Sequence, residues 1–555
     1  MGGFGIRDLF SDTAVARLII LVFLLVAIVS YVPVYLTNRA ISKFPLVGKE
    51  VGSYSKRRQH FVTNAVDLIN EGYRKVIKSL RAVQRDHLTQ PQFKGLVWRV
   101  TSADGELLIL PMKYVEELRA LPDDVLNHLA GQRAILESKY TGLDPDVPLV
   151  IHAIKSDLTL HLNKAHNSHS LFLEVRREIR SHFGTSETWR EVDIHKPFLN
   201  IVAIASGYVF LGPDLCRRPE FLHASIDFTE DLFRAAGTLK TWPQLLRPLG
   251  KYFVPEVQTL RDHYRSMYEF LVPIVRERRR LLLQGAGKED VPEDMLQWMV
   301  RKAYEFDVRT DEELAENQLV LSFAAIHLTA MAATNLIYDL VGVSPEIIPE
   351  LRKEILDVMR ANDSVISIHA LSQMKLLDSV MRESQRFNPA AIVRFVRKVM
   401  KPLRFSDGTE IPVGSNIALP LCTYDSSPFP GLEFDNADSH LRDPEYYPEP
   451  TIFNPHRFAD MRSGVKEDPL NLINKEQYQF ISPTKENTSF SLGRHACPGR
   501  FLASHEIKMM AVAILLEYDI KLPNGVEERY SNIAHVDHIM PDPTKTIMMR
   551  RVAAT

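Results

Sequence analysis

Apolar residues are unevenly spread along the chain, and the unevenness predicts its elements. Leu18 to Leu36 (LIILVFLLVAIVSYVPVYL) carries no charge, and a bilayer span needs about 20 apolar residues. Tyr31, Pro33 and Tyr35 sit toward its far end, where interfacial aromatics are favoured. A signal peptide would have a shorter apolar core closed by small residues, so the run reads as a retained anchor. A second apolar stretch follows Thr310. Thr310-Asp311-Glu312-Glu313 has the spacing of a capping box. The apolar pattern then runs from Leu314 to about Val341 and ends at Gly342. Leu319 to Ala333 is apolar on nearly every side, which predicts a long helix inside a core. Another helix is predicted from Ser344-Pro345, with proline at the first helical position. A third is predicted from about Leu371 to Phe387, stopped before Asn388-Pro389. Strand-like pieces are short. Residues 93–111 predict a hairpin around Ala103-Asp104-Gly105, and residues 392–415 a second one turning at Ser406-Asp407-Gly408. The pattern as a whole predicts a mainly α chain with small β-sheets.

Composition adds boundaries. The 555 residues are 45% hydrophobic and 25% charged, enough for a large core. Length alone would suggest roughly two to four domains, yet no repeat or low-complexity linker divides the chain. The net charge of −2 gives no basis for binding nucleic acid. Three cysteines, Cys216, Cys422 and Cys497, are too few for a disulfide framework and fit a reducing compartment. Arg39, Lys43, Lys49, Lys56, Arg57 and Arg58 follow the apolar run, against Arg7 and Arg17 before it. The positive-inside rule therefore puts the C-terminal bulk on the cytoplasmic side. There Asn487-Thr488-Ser489, a formal glycosylation acceptor, does not meet the transferase. The expected organisation is a tail (1–17), a transmembrane anchor (18–36), a linker (37–50) and a catalytic body (51–555).

Candidate chemistry concentrates at Phe490-Ser491-Leu492-Gly493-Arg494-His495-Ala496-Cys497-Pro498-Gly499-Arg500. The plainer reading is a buried structural thiol. The loop argues for more. Gly493 and Gly499 allow turns and close approach of the backbone to a flat ligand. An apolar helix is predicted from about Phe501 to Glu517, and its start offers N–H donors and a positive dipole end that favour thiolate. Arg494, His495 and Arg500 add positive charge, so Cys497 is the candidate iron ligand.

At these residues the chain resembles the cytochrome P450 family, whose signature is Phe-x-x-Gly-x-Arg-x-Cys-x-Gly. Phe490, Gly493, Cys497 and Gly499 match, and His495 stands where the family has Arg. Two more stretches match in the family's order. Glu383-Ser384-Gln385-Arg386 resembles its Glu-x-x-Arg helix, with i, i+3 spacing that lets the pair meet. Phe453-Asn454-Pro455-His456-Arg457-Phe458 resembles the segment whose Arg joins that pair. The resemblance implies a buried network of Glu383, Arg386 and Arg457. It also implies haem b (iron protoporphyrin IX) ligated by the Cys497 thiolate, with propionate contacts from His495 and Arg397. The family's Trp-x-x-x-Arg helix is missing. Lys155 is carried in its place, the alternative being a plain solvated lysine. The implied fold is one large α-rich catalytic domain with small sheets, behind an N-terminal transmembrane helix.

The long helix departs most from the family, which shows small-Gly-x-acid-Thr over the haem. Ala324-Ala325-Ile326-His327-Leu328-Thr329 aligns with it. Ala324 and Ala325 supply the small surface, His327 replaces the acid and Leu328 takes the Thr position. Thr329 lies one residue on, rotated by about 100°. His327 and Thr329 are carried as catalytic candidates, with a satisfied core histidine as the alternative for His327. The resemblance implies a pocket lined by Phe323, Ala324, His327, Ala390 to Val393, Ile539 and Met540, apolar enough for a lipophilic substrate.

No Gly-x-Gly-x-x-Gly fingerprint follows a strand. Electrons are therefore expected from a separate NADPH–cytochrome P450 reductase, with cytochrome b5 as a further donor, docking near Arg494, Arg500 and Lys508. The implied activity is monooxygenation of a lipophilic small molecule, a terpenoid or related secondary metabolite, by a single-pass protein of the endoplasmic reticulum with a cytosolic catalytic domain. The sequence leaves open a reductase-independent isomerase or dehydratase, and a non-catalytic haem binder.

Overall fold

The structure, a computed structural model, describes residues 32–81, 96–242, 246–285, 287, 290–421, 440–444, 446–465, 468–536 and 538–552, with Arg17, Leu21 and Leu25. Most of the predicted anchor, and Cys422, lie outside the described residues. The helices that matter below are α1 (Tyr54–Arg81), α2 (His128–Ile135), α3 (Ala165–Phe183), α4 (His195–Leu211), α5 (Pro219–Thr241), α6 (Pro255–Leu283), α7 (Met295–Lys302), α8 (Asp311–Gly342), α9 (Ile348–Ala361), α10 (Lys375–Phe387), α11 (Arg457–Ser463) and α12 (Arg500–Glu517). Among the described residues twelve strands accompany them, from β1 (Trp98–Ser102) and β2 (Gly105–Ile109) to β12 (Thr546–Arg551).

The 32-residue α8 is the axis of the fold. Its capping box is present, with the Thr310 hydroxyl accepting from Glu313 N–H and the Glu313 carboxylate accepting from Thr310 N–H. Among the described residues α8 is the one helix long and apolar enough to cross a membrane, yet two-thirds of that stretch is buried by the protein itself. It packs against α4, α5, α6, α10 and α12, which explains why nearly every side of it is apolar.

Strands β1 and β2 form the hairpin expected in residues 93–111, with Ser102 opposite Gly105. The hairpin expected in 392–415 is different. The Asp407 turn joins only β6 (Leu403–Arg404) to β7 (Glu410–Ile411), while β5 (Val393–Val399) pairs with the later β8 (Asn416–Pro420). A five-stranded sheet results, in the order β1-β2-β8-β5-β3, with β3 at Leu126–Asn127. β5 carries a bulge at Phe395, held at φ 58°, which shifts the register before Arg397. The helix expected from Leu371 breaks at Met374, and a 3-10 turn at Pro345–Ile347 precedes α9. The stretch expected as a linker is packed into the body: Ile41 and Val47 are buried and Leu46 bridges to Arg99.

Helix α12 runs under α8 and buries Glu506, whose carboxylate accepts a 2.8 Å hydrogen bond from the Ser206 hydroxyl on α4. Burial pushes this carboxyl up from 4.5 to about 8, against the pull of the Ser206 bond. The folded chain thus holds a proton that the unfolded chain releases. The contribution is fully present below pH 4.5 and is lost as the pH rises to about 8. Glu506→Gln is expected to remove that loss. Its Tm should exceed that of the unmodified chain at pH 8, by the equivalent of a few kcal/mol, roughly, and the gap should shrink toward about pH 5. A gap that does not vary with pH would contradict the assignment.

Candidate active site

The Cys497 loop is tied back on itself. Cys497 N–H donates to the Phe490 carbonyl at 2.8 Å and Ala496 N–H to the Gly493 carbonyl at 3.1 Å. Gly493 sits at φ 67°, and a Cβ there would lie 3.0 Å from the Arg119 carbonyl, so this turn requires glycine. Gly499 has an ordinary φ and a Cβ there would meet open space, so its backbone conformation does not require glycine. Arg500 closes the loop by donating to the carbonyls of Ile481 (3.1 Å) and Cys497 (2.7 Å). Phe490 stacks edge-on against Phe480, with ring centres 5.3 Å apart.

Cys497 has free surface although its surroundings are strongly desolvating. An accessible residue in desolvating surroundings fits the wall of an internal chamber. Burial raises the thiol pKa, while the N–H groups of Gly499 and Arg500 and the charges of Arg500 and Arg394 pull it back.

Above it, α8 is buried on all sides but one. Ala324 is exposed and Leu328 is 49% exposed, one turn apart, in the middle of a core helix. This stripe is the part of the helix middle that the described elements leave uncovered. A cavity lined by Leu149, Tyr264, Asn317 and Val320 opens along the N-terminal part of the same stripe. Of the four α8 candidates, only Ala324 faces the chamber. Ala325 packs against the main core. Thr329 is buried and spends its hydroxyl on the Ala325 carbonyl at 2.7 Å, so it does not reach the chamber. His327 turns toward α5, where Nε2 meets the Ile226 carbonyl at 2.8 Å. Of the other residues expected to line the pocket, Phe323 is half-buried, Ala390 and Met540 likewise, whereas Ile392, Val393 and Ile539 are packed into a second core.

At the chamber's edge the β5 bulge delivers Arg397, 2% exposed, against His128. Its Nη1 donates to His128 Nδ1 at 2.8 Å and to the Val396 carbonyl at 2.9 Å. Nη2 reaches the Ser491 hydroxyl at 3.5 Å. Among the described residues no carboxylate lies within salt-bridge reach of Arg397, and burial lowers its pKa to about 10. A buried guanidinium without an acid seeks an anion. His495 lies beside it, its ring 4.8 Å from that of His128, and pairs with Asp123 at 2.6 Å. Burial first, then the charges of Arg397 and His495, hold His128 down near 3, so it is neutral. His128 was not legible as a candidate, since no motif surrounds Asn127-His128. Lys155, carried for this role, is exposed on the π-turn Ile154–Leu158, and the structure sets His128 rather than Lys155 beside Arg397.

The buried ion network is assembled. Glu383 accepts from Arg386 Nε at 2.9 Å and Nη2 at 2.8 Å, and from Arg457 Nε at 3.0 Å. Lys508 is not on the surface beneath the loop. It is 5% exposed and pairs with Asp378 at 2.7 Å, leaving Arg494 as the exposed cation there.

One sulfur facing an apolar chamber, with an acid-free guanidinium at its rim, suits a flat metallo-macrocycle bearing carboxylates; the architecture defines a haem-thiolate enzyme. A family model described as cytochrome P450 matches residues 157–431 and 432–549. The chain is 32% identical over 521 residues to cytochrome P450 monooxygenase braC of Annulohypoxylon truncatum, covering 92% of both. It is 30% identical over 533 residues to cytochrome P450 monooxygenase adrA of Penicillium rubens, covering 93% of both. It is 28% identical over 524 residues to cytochrome P450 monooxygenase paxP of Penicillium paxilli, covering 94% of this chain and 92% of that one. The chain belongs to the cytochrome P450 family; it is a monooxygenase and takes haem b.

Arg397→Leu is expected to speed haem loss to an apoglobin acceptor by roughly ten- to a hundredfold, the worth of one charged hydrogen bond of about 1.5–3 kcal/mol. An unchanged release rate would place the carboxylates elsewhere.

Proposed function

We propose that this protein oxidises a lipophilic small molecule, a terpenoid or related secondary metabolite, drawing electrons from an NADPH-dependent reductase. The observation that carries the reading is Cys497, accessible yet in strongly desolvating surroundings, together with the uncovered apolar pair Ala324 and Leu328 in the middle of α8. Haem b bound there supplies the activation of dioxygen. Cys497 would hold its iron, while Phe490, Gly493 and Gly499 shape the loop beneath it. Arg397, His128 and His495 would hold the propionates. Ala324 leaves room over the ring, and Leu328 and Phe323 keep water from the substrate. Glu383, Arg386 and Arg457 hold the loop's surroundings rather than act on substrate.

Residues 18–36 would anchor the chain once in the endoplasmic reticulum membrane with the catalytic body in the cytosol, placing the chamber near a lipid-dissolved substrate. The fungal sources of the relatives support secondary metabolism as the setting. Reductase-supplemented microsomes containing the full chain, given a lipophilic metabolite extract, should consume NADPH and yield products heavier by oxygen. Products of unchanged mass formed without reductase would instead favour an isomerase.

A further inference from the structure

We propose that His327 is a positioning residue rather than a proton-transfer group: it pins α5 at a fixed height against α8, beside the uncovered Ala324–Leu328 stripe. The inference rests on the reading above, in which Ala324 and Leu328 lie over the haem.

The contact is specific. The Ile226 carbonyl can only accept, so Nε2 of His327 carries the hydrogen of this 2.8 Å bond. Burial lowers the ring's pKa, against opposing pulls from the Ile226 carbonyl, Glu230 and Asp227 on α5. His195 on α4 also faces the ring. The neutral ring keeps its donor on Ile226 and has no proton to pass into the chamber. Direction agrees with this. On a helix turning about 100° per residue, position 327 lies about 60° to one side of Ala324, and Leu328 about 40° to the other. Leu328 therefore faces the chamber while His327 leans out of the stripe toward α5.

The rest of the α5–α8 seam could slide. Phe233 of α5, seven residues past Ile226, packs on Phe323 of α8 with ring centres 5.9 Å apart and on His538 at 5.4 Å. Phe228 meets Phe323 edge-on at 6.5 Å. Such aromatic contacts tolerate displacement. Among the described residues, no other hydrogen bond or salt bridge joins α5 to α8. This also accounts for the residue type. An acid at position 327 would set acceptor against acceptor at Ile226, whereas a histidine supplies the donor the seam needs.

The test uses the haem-loaded full chain and two optical probes that bind the iron: imidazole, which is small, and 4-phenylimidazole, which is long enough to sense the α5–α8 seam. His327→Leu removes the donor, and His327→Gln keeps an N–H donor. The expected result is 4-phenylimidazole binding weakened about tenfold in His327→Leu, the worth of one buried hydrogen bond. Imidazole should stay within about twofold, with His327→Gln close to the unmodified chain. Unchanged binding of both probes in His327→Leu would overturn the pin. Equal weakening in His327→Leu and His327→Gln would overturn it too, since the donor would then not matter. The carbonyl spectrum of the unmodified chain is read in parallel. Its failure would sink the haem-thiolate reading itself, a result distinct from either probe outcome.

Discussion

Cys497→Ser is expected to reduce turnover to background and to remove the thiolate-type carbonyl absorption band, while the chain still folds. The loop does not depend on the sulfur for its shape. Its turns are closed by backbone bonds and by Arg500, none of which uses the side chain of Cys497. A serine hydroxyl is a far poorer ligand than thiolate for this iron and does not supply the same electron donation. Cys216→Ser serves as the control. That thiol is buried, pushed up to about 11 by burial, and remains protonated, so its loss should leave spectrum and turnover intact. The comparison is read from reduced, carbonyl-treated protein and from product formed per unit of haem. Equal activity in Cys497→Ser would end the ligand assignment.

The contrast between the two thiols shows what the sequence could carry. Cys497 was legible because glycines, arginines and a helix start surround it within a few residues. α8 was legible because its capping box and its all-round apolar pattern are both local. Glu383 and Arg386 share one helix turn, so spacing alone let them meet. What stayed hidden depends on distant partners. His128 reaches its place only through Arg397, 269 residues away, and only because the Phe395 bulge turns that arginine inward. The same bulge belongs to the pairing of β5 with β8, which no turn signal announced. Lys508 looked like a surface cation until Asp378 met it from another helix. Helical periodicity fixed the angles between Ala324, His327, Leu328 and Thr329 but not which of them pointed at the chamber. That depended on α5, α4 and α12 covering the other sides. The expectations that needed correction are thus those in which a side chain's direction was set by tertiary packing.

The second large effect is expected from Glu383→Gln, which keeps the shape but removes the charge and turns one of two accepting oxygens into a donor. Glu383 is fully buried between two guanidinium groups and also accepts from Asn454 N–H at 2.9 Å. Burial by itself would raise its pKa. The Arg386 and Arg457 charges and the hydrogen bonds more than offset that, and the carboxyl lies below its usual range. Both arginines also donate to the 441–452 segment, Arg386 to Leu441 and Pro450, Arg457 to Ile452. Removing the carboxylate would leave two buried cations with carbonyls but no counter-charge. Breaking one partner of such a network typically costs about 3–5 kcal/mol. A domain of this size should then lose stability measurably, seen as a lower Tm and faster release of haem. Because its pKa is depressed in the fold, the stabilisation by Glu383 is present above the ordinary carboxylate range and lost as pH falls through the folded value. The gap between Glu383→Gln and the unmodified chain should therefore narrow in acid. A loss under about 1 kcal/mol at neutral pH, or a gap that widens in acid, would mean that the three side chains do not act as a charged unit.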